Sequence, residues 1–192
     1  MEIGLEPKFF FELEPPKYPR DSDDYCAFIY SISQVHDADP SIPVITAVGS
    51  PSLKLSLLAA WPGKFLVTVV SPKAWLASDA TLGPGTTLAP FVAVNRKARV
   101  GSHVLVNVGA IISHDVSIGN FTTIGPRCVI GGATTIGEGA FLGIGSTIRD
   151  HIHVGAGSTV AAGAVVVSDV APHESVKGIP ARAFTPRTPR IL

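Results

Sequence analysis

A histidine followed by an aspartate is the pair of side chains in this 192-residue chain best suited to moving a proton. His114 and Asp115 end the stretch VNVGAIISHD. A neutral imidazole accepts a proton near neutral pH, and a carboxylate beside it can support it. Gly132 follows His114 by eighteen residues and has no side chain to cover its backbone N–H. Whether these groups meet depends on the elements that position them.

A six-residue repeat of aliphatic residues runs without a miss from Val70 to Ala171. This hexapeptide period is typical of a parallel β-helix, in which each unit forms one short face of a column and every third unit stacks on the same face. Gly132 is therefore expected one coil, about 4.8 Å, beyond His114. The repeat positions are Val70, Leu76, Leu82, Leu88, Val94, Val100, Val106, Ile112, Ile118, Ile124, Ile130, Ile136, Leu142, Ile148, Val154, Val160 and Val166.

The residues between the aliphatic positions fit the same column. Most residues four places after each aliphatic are small, such as Ala98, Ala110 and Ala164, as a narrow interior requires. Proline recurs two places after the aliphatic and glycine three places after it, and Pro84-Gly85 combines both. Pro followed by Gly is typical of type II turns, so these pairs predict the corners.

The segment before the column has a different pattern. Ile42–Val48 is rich in β-formers, Ser50-Pro51 resembles a helix N-cap with proline at the first helical position, and Leu53–Trp61 has helical spacing. Phe65–Val70 predicts a second strand. We therefore expect a mainly β protein with a small, possibly truncated, α/β domain at 1–69, a β-helix at 70–171 and a C-terminal tail at 172–192.

Composition excludes several classes of protein. The 15 basic and 15 acidic residues cancel, so neither nucleic acid nor an anionic membrane is indicated as a partner. No signal peptide or spanning helix is evident, which predicts a cytoplasmic protein. Cys26 and Cys128 are too few for a disulfide framework, and Cys128 falls at an inward position of the repeat.

The column resembles the left-handed β-helix of the hexapeptide acyltransferases, and the closing stretch Gly178–Arg182 (GIPAR) is similar to an ending common among them. Within that superfamily, VNVGAIISHD resembles the active-site segment of bacterial nucleotide-sugar N-acetyltransferases and sialic acid O-acetyltransferases. The left hand of the helix is implied by this resemblance alone. So is the reaction, in which an acyl group passes from a thioester to an amine or a hydroxyl.

The resemblance assigns roles to four residues. His114 would be the general base, and Asp115 would support it, although a longer glutamate is expected at that position. Gly132 would offer its N–H to the acyl carbonyl, and Asn107 corresponds to an asparagine near the acceptor. Relatives often carry a second histidine nine residues after the base, whereas Thr123 stands there in this chain.

The resemblance also implies acetyl-CoA as co-substrate, without a metal, in a groove between neighbouring columns of a homotrimer. Gly143, Ile144, Ala161 and Ala162 occupy positions that match the pantetheine contacts, together with Gly132. Lys177 and Arg182 are candidates to pair with the CoA phosphates, because phosphate anions favour such cations.

The acceptor implied by the resemblance is an amino sugar carried on a nucleotide. Relatives receive its phosphates on a glycine-rich loop, but the first glycines of this chain are Gly4 and Gly49, so no such loop is present. O-acetylation of a sugar or another small hydroxyl compound stays open, as does a non-catalytic trimeric scaffold. A β-helix carbonic anhydrase needs three converging histidines. The spacing of His103, His114, His151 and His153 does not match that family.

Overall fold

The computed structural model describes residues 9–12, 28–31, 40–41, 44–46, 48–61, 63 and 66–186. Cys26, the end of the predicted tail and parts of the two predicted strands before the column lie outside these residues. β1 (Phe9–Glu12) and β2 (Phe28–Ser31) pair in parallel. Val44 and Leu66 form a parallel bridge, which joins the two regions where strands were predicted.

Helix α1 (Pro51–Ala60) begins where the sequence predicts it. The Leu53 N–H donates to the Ser50 hydroxyl at 3.3 Å, and Pro51 occupies the first turn, where its missing N–H costs no hydrogen bond. The helix ends before Trp61, whose N–H donates to the Leu57 carbonyl at 3.1 Å.

Residues from Val69 onward wind into a left-handed parallel β-helix with three faces. Each repeat unit contributes a short strand, and the strand pairs with the one eighteen residues later, so the predicted stacking is confirmed. Face 1 contains β3 (Val69–Val70), β6 (Thr87–Leu88), β9 (Leu105–Val106), β12 (Thr123–Ile124), β15 (Phe141–Leu142), β18 (Thr159–Val160), β20 (Ser175–Lys177) and the antiparallel β21 (Arg182–Ala183). Face 2 contains β4 (Trp75–Leu76), β7 (Ala93–Val94), β10 (Ile111–Ile112), β13 (Val129–Ile130), β16 (Thr147–Ile148) and β19 (Val165–Val166). Face 3 contains β5 (Thr81–Leu82), β8 (Arg99–Val100), β11 (Ser117–Ile118), β14 (Thr135–Ile136) and β17 (His153–Val154).

Face 1 continues beyond residue 171, where the sequence predicts the end of the column. β20 pairs in parallel with β18, and Val176 is buried. β21 then turns back and pairs with β20 in the antiparallel direction. The chain therefore closes this end of face 1 with its own strands.

The interior of the column is narrow and filled by the repeat. From Leu88 onward the repeat positions are buried, whereas Leu76 on the first coil is exposed. Small residues complete each layer, and the buried hydroxyls of Thr122 and Thr134 donate to corner carbonyls at 2.8 and 3.0 Å. Cys128 is buried against Ser146, and burial raises the pKa of its thiol to about 11, so it behaves as an inert core residue.

Turns of two residues join the faces and stack into three edges. From turn 84–85 onward the second turn residue is left-handed, as the Pro-Gly pairs predict; Gly85 has a φ of +72°. The 1–2 edge contains turns 72–73, 90–91, 108–109, 126–127, 144–145 and 162–163. The 2–3 edge contains turns 78–79, 96–97, 114–115, 132–133 and 150–151. The 3–1 edge contains turns 84–85, 102–103, 120–121, 138–139 and 156–157. Within the described part of the chain, none of the helices has the length and apolar character needed to cross a membrane.

Candidate active site

His114 and Asp115 form the turn between β10 and β11 on the 2–3 edge. Asp115 has a φ of +58°, a conformation that aspartate tolerates better than most residues. Its N–H donates to the carbonyl of Arg96 in the preceding coil at 3.0 Å. The side chains of His114 and Asp115 are 68% and 49% exposed, so a substrate can reach both.

The two side chains are hydrogen-bonded to each other. Nδ1 of His114 lies 2.9 Å from Oδ2 of Asp115, so the aspartate reaches the ring despite being shorter than glutamate. This hydrogen bond is the main cause that lowers the pKa of Asp115, and the charges of Lys97 and Arg99 lower it further. Because an ionised carboxylate can only accept, Nδ1 carries the hydrogen of this bond, and in a neutral imidazole Nε2 then presents its lone pair.

Gly132 occupies the equivalent turn position one coil beyond His114. A Cβ atom built on Gly132 would lie 2.7 Å from Cε1 and 2.8 Å from Nε2 of the His114 ring, so only glycine leaves room for the imidazole. The Gly132 N–H donates no hydrogen bond to any described residue. A proton acceptor and an unused hydrogen-bond donor therefore lie side by side, as acyl transfer requires.

The other predicted site residues lie away from this pair within one chain. Asn107 follows β9 at the 1–2 edge, where its Oδ1 accepts from the Val108 N–H at 2.8 Å. The ammonium of Lys177 lies 4.7 Å from the centre of the Phe184 ring, and Arg182 donates to the Ala181 carbonyl. Face 2 thus separates the 2–3 edge, with the imidazole, from the residues at and near the 1–2 edge: Asn107, Gly143, Ile144, Ala161, Ala162, Lys177 and Arg182.

The histidines considered for a metal site do not converge. His103 lies on the 3–1 edge, where its ring stacks on Phe121 with 5.0 Å between ring centres. Burial, and then the charge of Lys54, lower the pKa of His103. Among the residues that the structure describes, no group of three His, Cys, Asp or Glu side chains is placed to hold a metal ion.

Sequence reasoning missed two polar features. Lys54 is the one charged residue of α1, and it is fully buried against the column. Its ammonium donates to the Thr123 hydroxyl at 2.8 Å. Three cations, Arg96, Lys97 and Arg99, lie one coil before the His114–Asp115 pair. The sequence held a signal for each feature: a charged residue inside an apolar helix, and three cations close together.

A protein-family model matches part of the chain that carries the repeat. Residues 133–168 match the bacterial transferase hexapeptide family model, described as six repeats. The chain has no sequence match among curated proteins.

Two solved structures are similar over most of the chain. PerB from Caulobacter crescentus, in complex with CoA and GDP-perosamine, is 28% identical, with a TM-score of 0.76, over 82% of this chain and 78% of PerB. The acetyltransferase domain of PglB from Neisseria gonorrhoeae, in complex with acetyl coenzyme A, is 26% identical, with a TM-score of 0.81, over 92% of this chain and 85% of that domain. With the repeat, the left-handed column and these similarities together, the chain belongs to the hexapeptide-repeat acyltransferase superfamily.

Proposed function

We propose that this protein is an acetyl-CoA-dependent acetyltransferase that acts on the amino group of a nucleotide-linked sugar. The observation that carries the proposal is the free Nε2 of His114 beside the unused N–H of Gly132. The complexes of PerB with CoA and GDP-perosamine, and of PglB with acetyl coenzyme A, support the donor and the acceptor class.

In the proposed reaction each group carries out one step. Nε2 of His114 takes a proton from the acceptor amine as the amine nitrogen bonds to the thioester carbonyl carbon. The Gly132 N–H donates to the carbonyl oxygen while that oxygen gains negative charge. Asp115 holds the ring with Nδ1 protonated and stabilises the imidazolium that forms. The carbon–sulfur bond then breaks, and the proton held by His114 passes to the departing thiolate.

In the proposed complex the extended arm of a CoA thioester lies along the 1–2 edge. No described atom lies within 4 Å of a Cβ built on Gly145 or Gly163, so the later coils leave open space beside these turn residues. Ile144 is 61% exposed and offers an apolar contact, while Gly143, Ala161 and Ala162 present little bulk. Lys177 and Arg182 lie at the end of this edge, where they would pair with phosphates.

We further propose that the donor groove and the base come from different chains of a homotrimer. When three parallel columns turn face 2 toward a threefold axis, the 2–3 edge of one column meets the 1–2 edge of the next. The outward side of face 2 supports this packing, because it is mostly apolar: Trp75, Ala93, Ile111, Val129, Thr147 and Val165. Face 3 is polar at the same positions, with Thr81, Arg99, Ser117, Thr135 and His153.

The test is release of CoA from acetyl-CoA with a panel of amino-sugar nucleotides and matched hydroxyl sugars. We expect turnover with an amino acceptor, and a fall in kcat of roughly 10²- to 10⁴-fold for His114→Ala. His153→Ala, which removes an exposed histidine on face 3, is the control and should keep wild-type turnover. Near-normal turnover by His114→Ala would reject the general base, and no CoA release with any acceptor would favour a scaffold.

A further inference from the structure

The cluster of cations beside the His114–Asp115 pair has no role in the proposed chemistry. Arg96 and Lys97 form the turn of the 2–3 edge one coil before the pair, and Arg99 points outward from β8 on face 3. Arg96 is partly neutralised, because its Nε lies 3.3 Å from Oδ2 of Asp79. Neither Lys97 nor Arg99 lies within ion-pair distance of a carboxylate among the described residues.

The positive potential of this cluster reaches the active site. The charges of Lys97 and Arg99 both contribute to the lowered pKa of Asp115. The chain as a whole has no net charge, whereas here three cations within four residues outnumber the two neighbouring carboxylates, Asp79 and Asp115. Such a surface favours an anion next to the general base.

The position of the cluster favours contact with the acceptor over contact with the acyl donor. Gly132, which would receive the acyl carbonyl, lies on the C-terminal side of His114, whereas the cations lie on the N-terminal side. An acceptor whose amine meets Nε2 would therefore extend toward the cations. The distance of one coil, about 4.8 Å, is comparable to the width of a sugar ring.

We propose that Lys97 and Arg99, assisted by Arg96, bind the phosphate groups of the acceptor on the column itself. This inference rests on the proposed function. It gives a physical reason for the absence of a glycine-rich phosphate loop before Val70, where the glycines are Gly4, Gly49 and Gly63. The phosphates would be held by side chains at an edge of the β-helix instead of by backbone N–H groups at a helix start.

Steady-state kinetics with two acceptors test the subsite: a nucleotide-linked amino sugar and the methyl glycoside of the same sugar. Lys97→Ala and Arg99→Ala should each raise KM for the nucleotide-linked acceptor about tenfold, the size of one lost charge-assisted hydrogen bond. KM for the methyl glycoside, KM for acetyl-CoA and kcat should not change. Lys97→Arg should keep the wild-type KM for the nucleotide-linked acceptor, because arginine keeps the positive charge.

Arg149→Ala is the matched control, because it removes an exposed cation from the C-terminal side of His114. An equal rise in KM for both acceptors, or the same rise in Arg149→Ala, would overturn the subsite.

Calorimetric titration with inorganic pyrophosphate provides a readout that does not need turnover. Weaker pyrophosphate binding by Lys97→Ala and Arg99→Ala supports the subsite, and unchanged binding rejects it. Absence of turnover by the wild type with every acceptor rejects the proposed function instead.

Discussion

At the scale of single residues, the missing side chain of Gly132 leaves the space that the His114 ring occupies. We expect Gly132→Ala to lower kcat by about 10²-fold, because the new methyl group would displace the imidazole from its position. The fold should survive, since the displaced atoms belong to an exposed side chain and Gly132 does not need a left-handed backbone. The measurements are kcat and the circular dichroism spectrum of the purified variant.

Gly49→Ala is the control for that substitution, since a Cβ at Gly49 meets no described atom within 4 Å. Turnover of Gly132→Ala equal to that of Gly49→Ala would mean that the ring position does not matter.

The sequence predicted His114, Asp115 and Gly132 as a group, because a strict period of eighteen fixes which turns stack. It left the reach of Asp115 open, since the length of a side chain does not determine its rotamer. The structure answers this with a 2.9 Å hydrogen bond.

At the scale of elements, the ammonium of Lys54 joins helix α1 to the column by hydrogen bonds. This group donates to the carbonyls of His103 and Thr122 at 3.2 and 3.3 Å and to the Thr123 hydroxyl at 2.8 Å. No acidic side chain is within ion-pair distance of it among the described residues. Burial lowers the pKa of Lys54 to about 8, because the charged form loses its hydration.

The lowered pKa of Lys54 predicts a pH dependence of stability. Between about pH 8 and pH 10.5 the unfolded chain keeps a proton that the folded chain has released, so the free energy of unfolding should rise with pH. The rise attributable to Lys54 should be on the order of 3 kcal/mol. Lys54→Met lacks this group, so the measurement is the difference between urea unfolding of wild type and variant across that pH range. Parallel curves for the two proteins would contradict the prediction.

The sequence predicted the start and the type of α1 but not its partner. Ser50 and Pro51 are local signals for a helix start, and they act whatever the helix packs against. The contact of Lys54 with residues 103, 122 and 123 joins positions far apart in the chain, and α1 has no repeat that would encode it.

At the scale of the whole molecule, the apolar outward side of face 2 makes the oligomeric state testable. Ile111 lies in the middle of this face and is 41% exposed. Ile111→Lys places a charge in the proposed interface, so we expect sedimentation as a monomer and loss of turnover with the column intact. Thr135→Lys, the control on the polar face 3, should remain a trimer. An active monomer would reject a site shared between chains.

Mixed trimers give an independent measure of the shared site. His114→Ala removes the base on the 2–3 edge, and Ala162→Trp blocks the groove on the 1–2 edge of the neighbour. Each variant alone should be inactive, but co-assembly should restore about a quarter of the sites by random association. No recovery in assembled mixed trimers would place the base and the groove in the same chain.

The sequence by itself determined the column, its three faces and the stacking of His114 with Gly132, because a six-residue period fixes the inward positions and the turns of every coil. Only the tertiary structure decided the hydrogen bond of Asp115, the buried contact of Lys54 and the separation of His114 from Gly143 and Ala162 by the width of face 2. The physical reason is that a period specifies which residues share an edge. Side-chain rotamers, and contacts with segments outside the repeat, depend on packing in three dimensions.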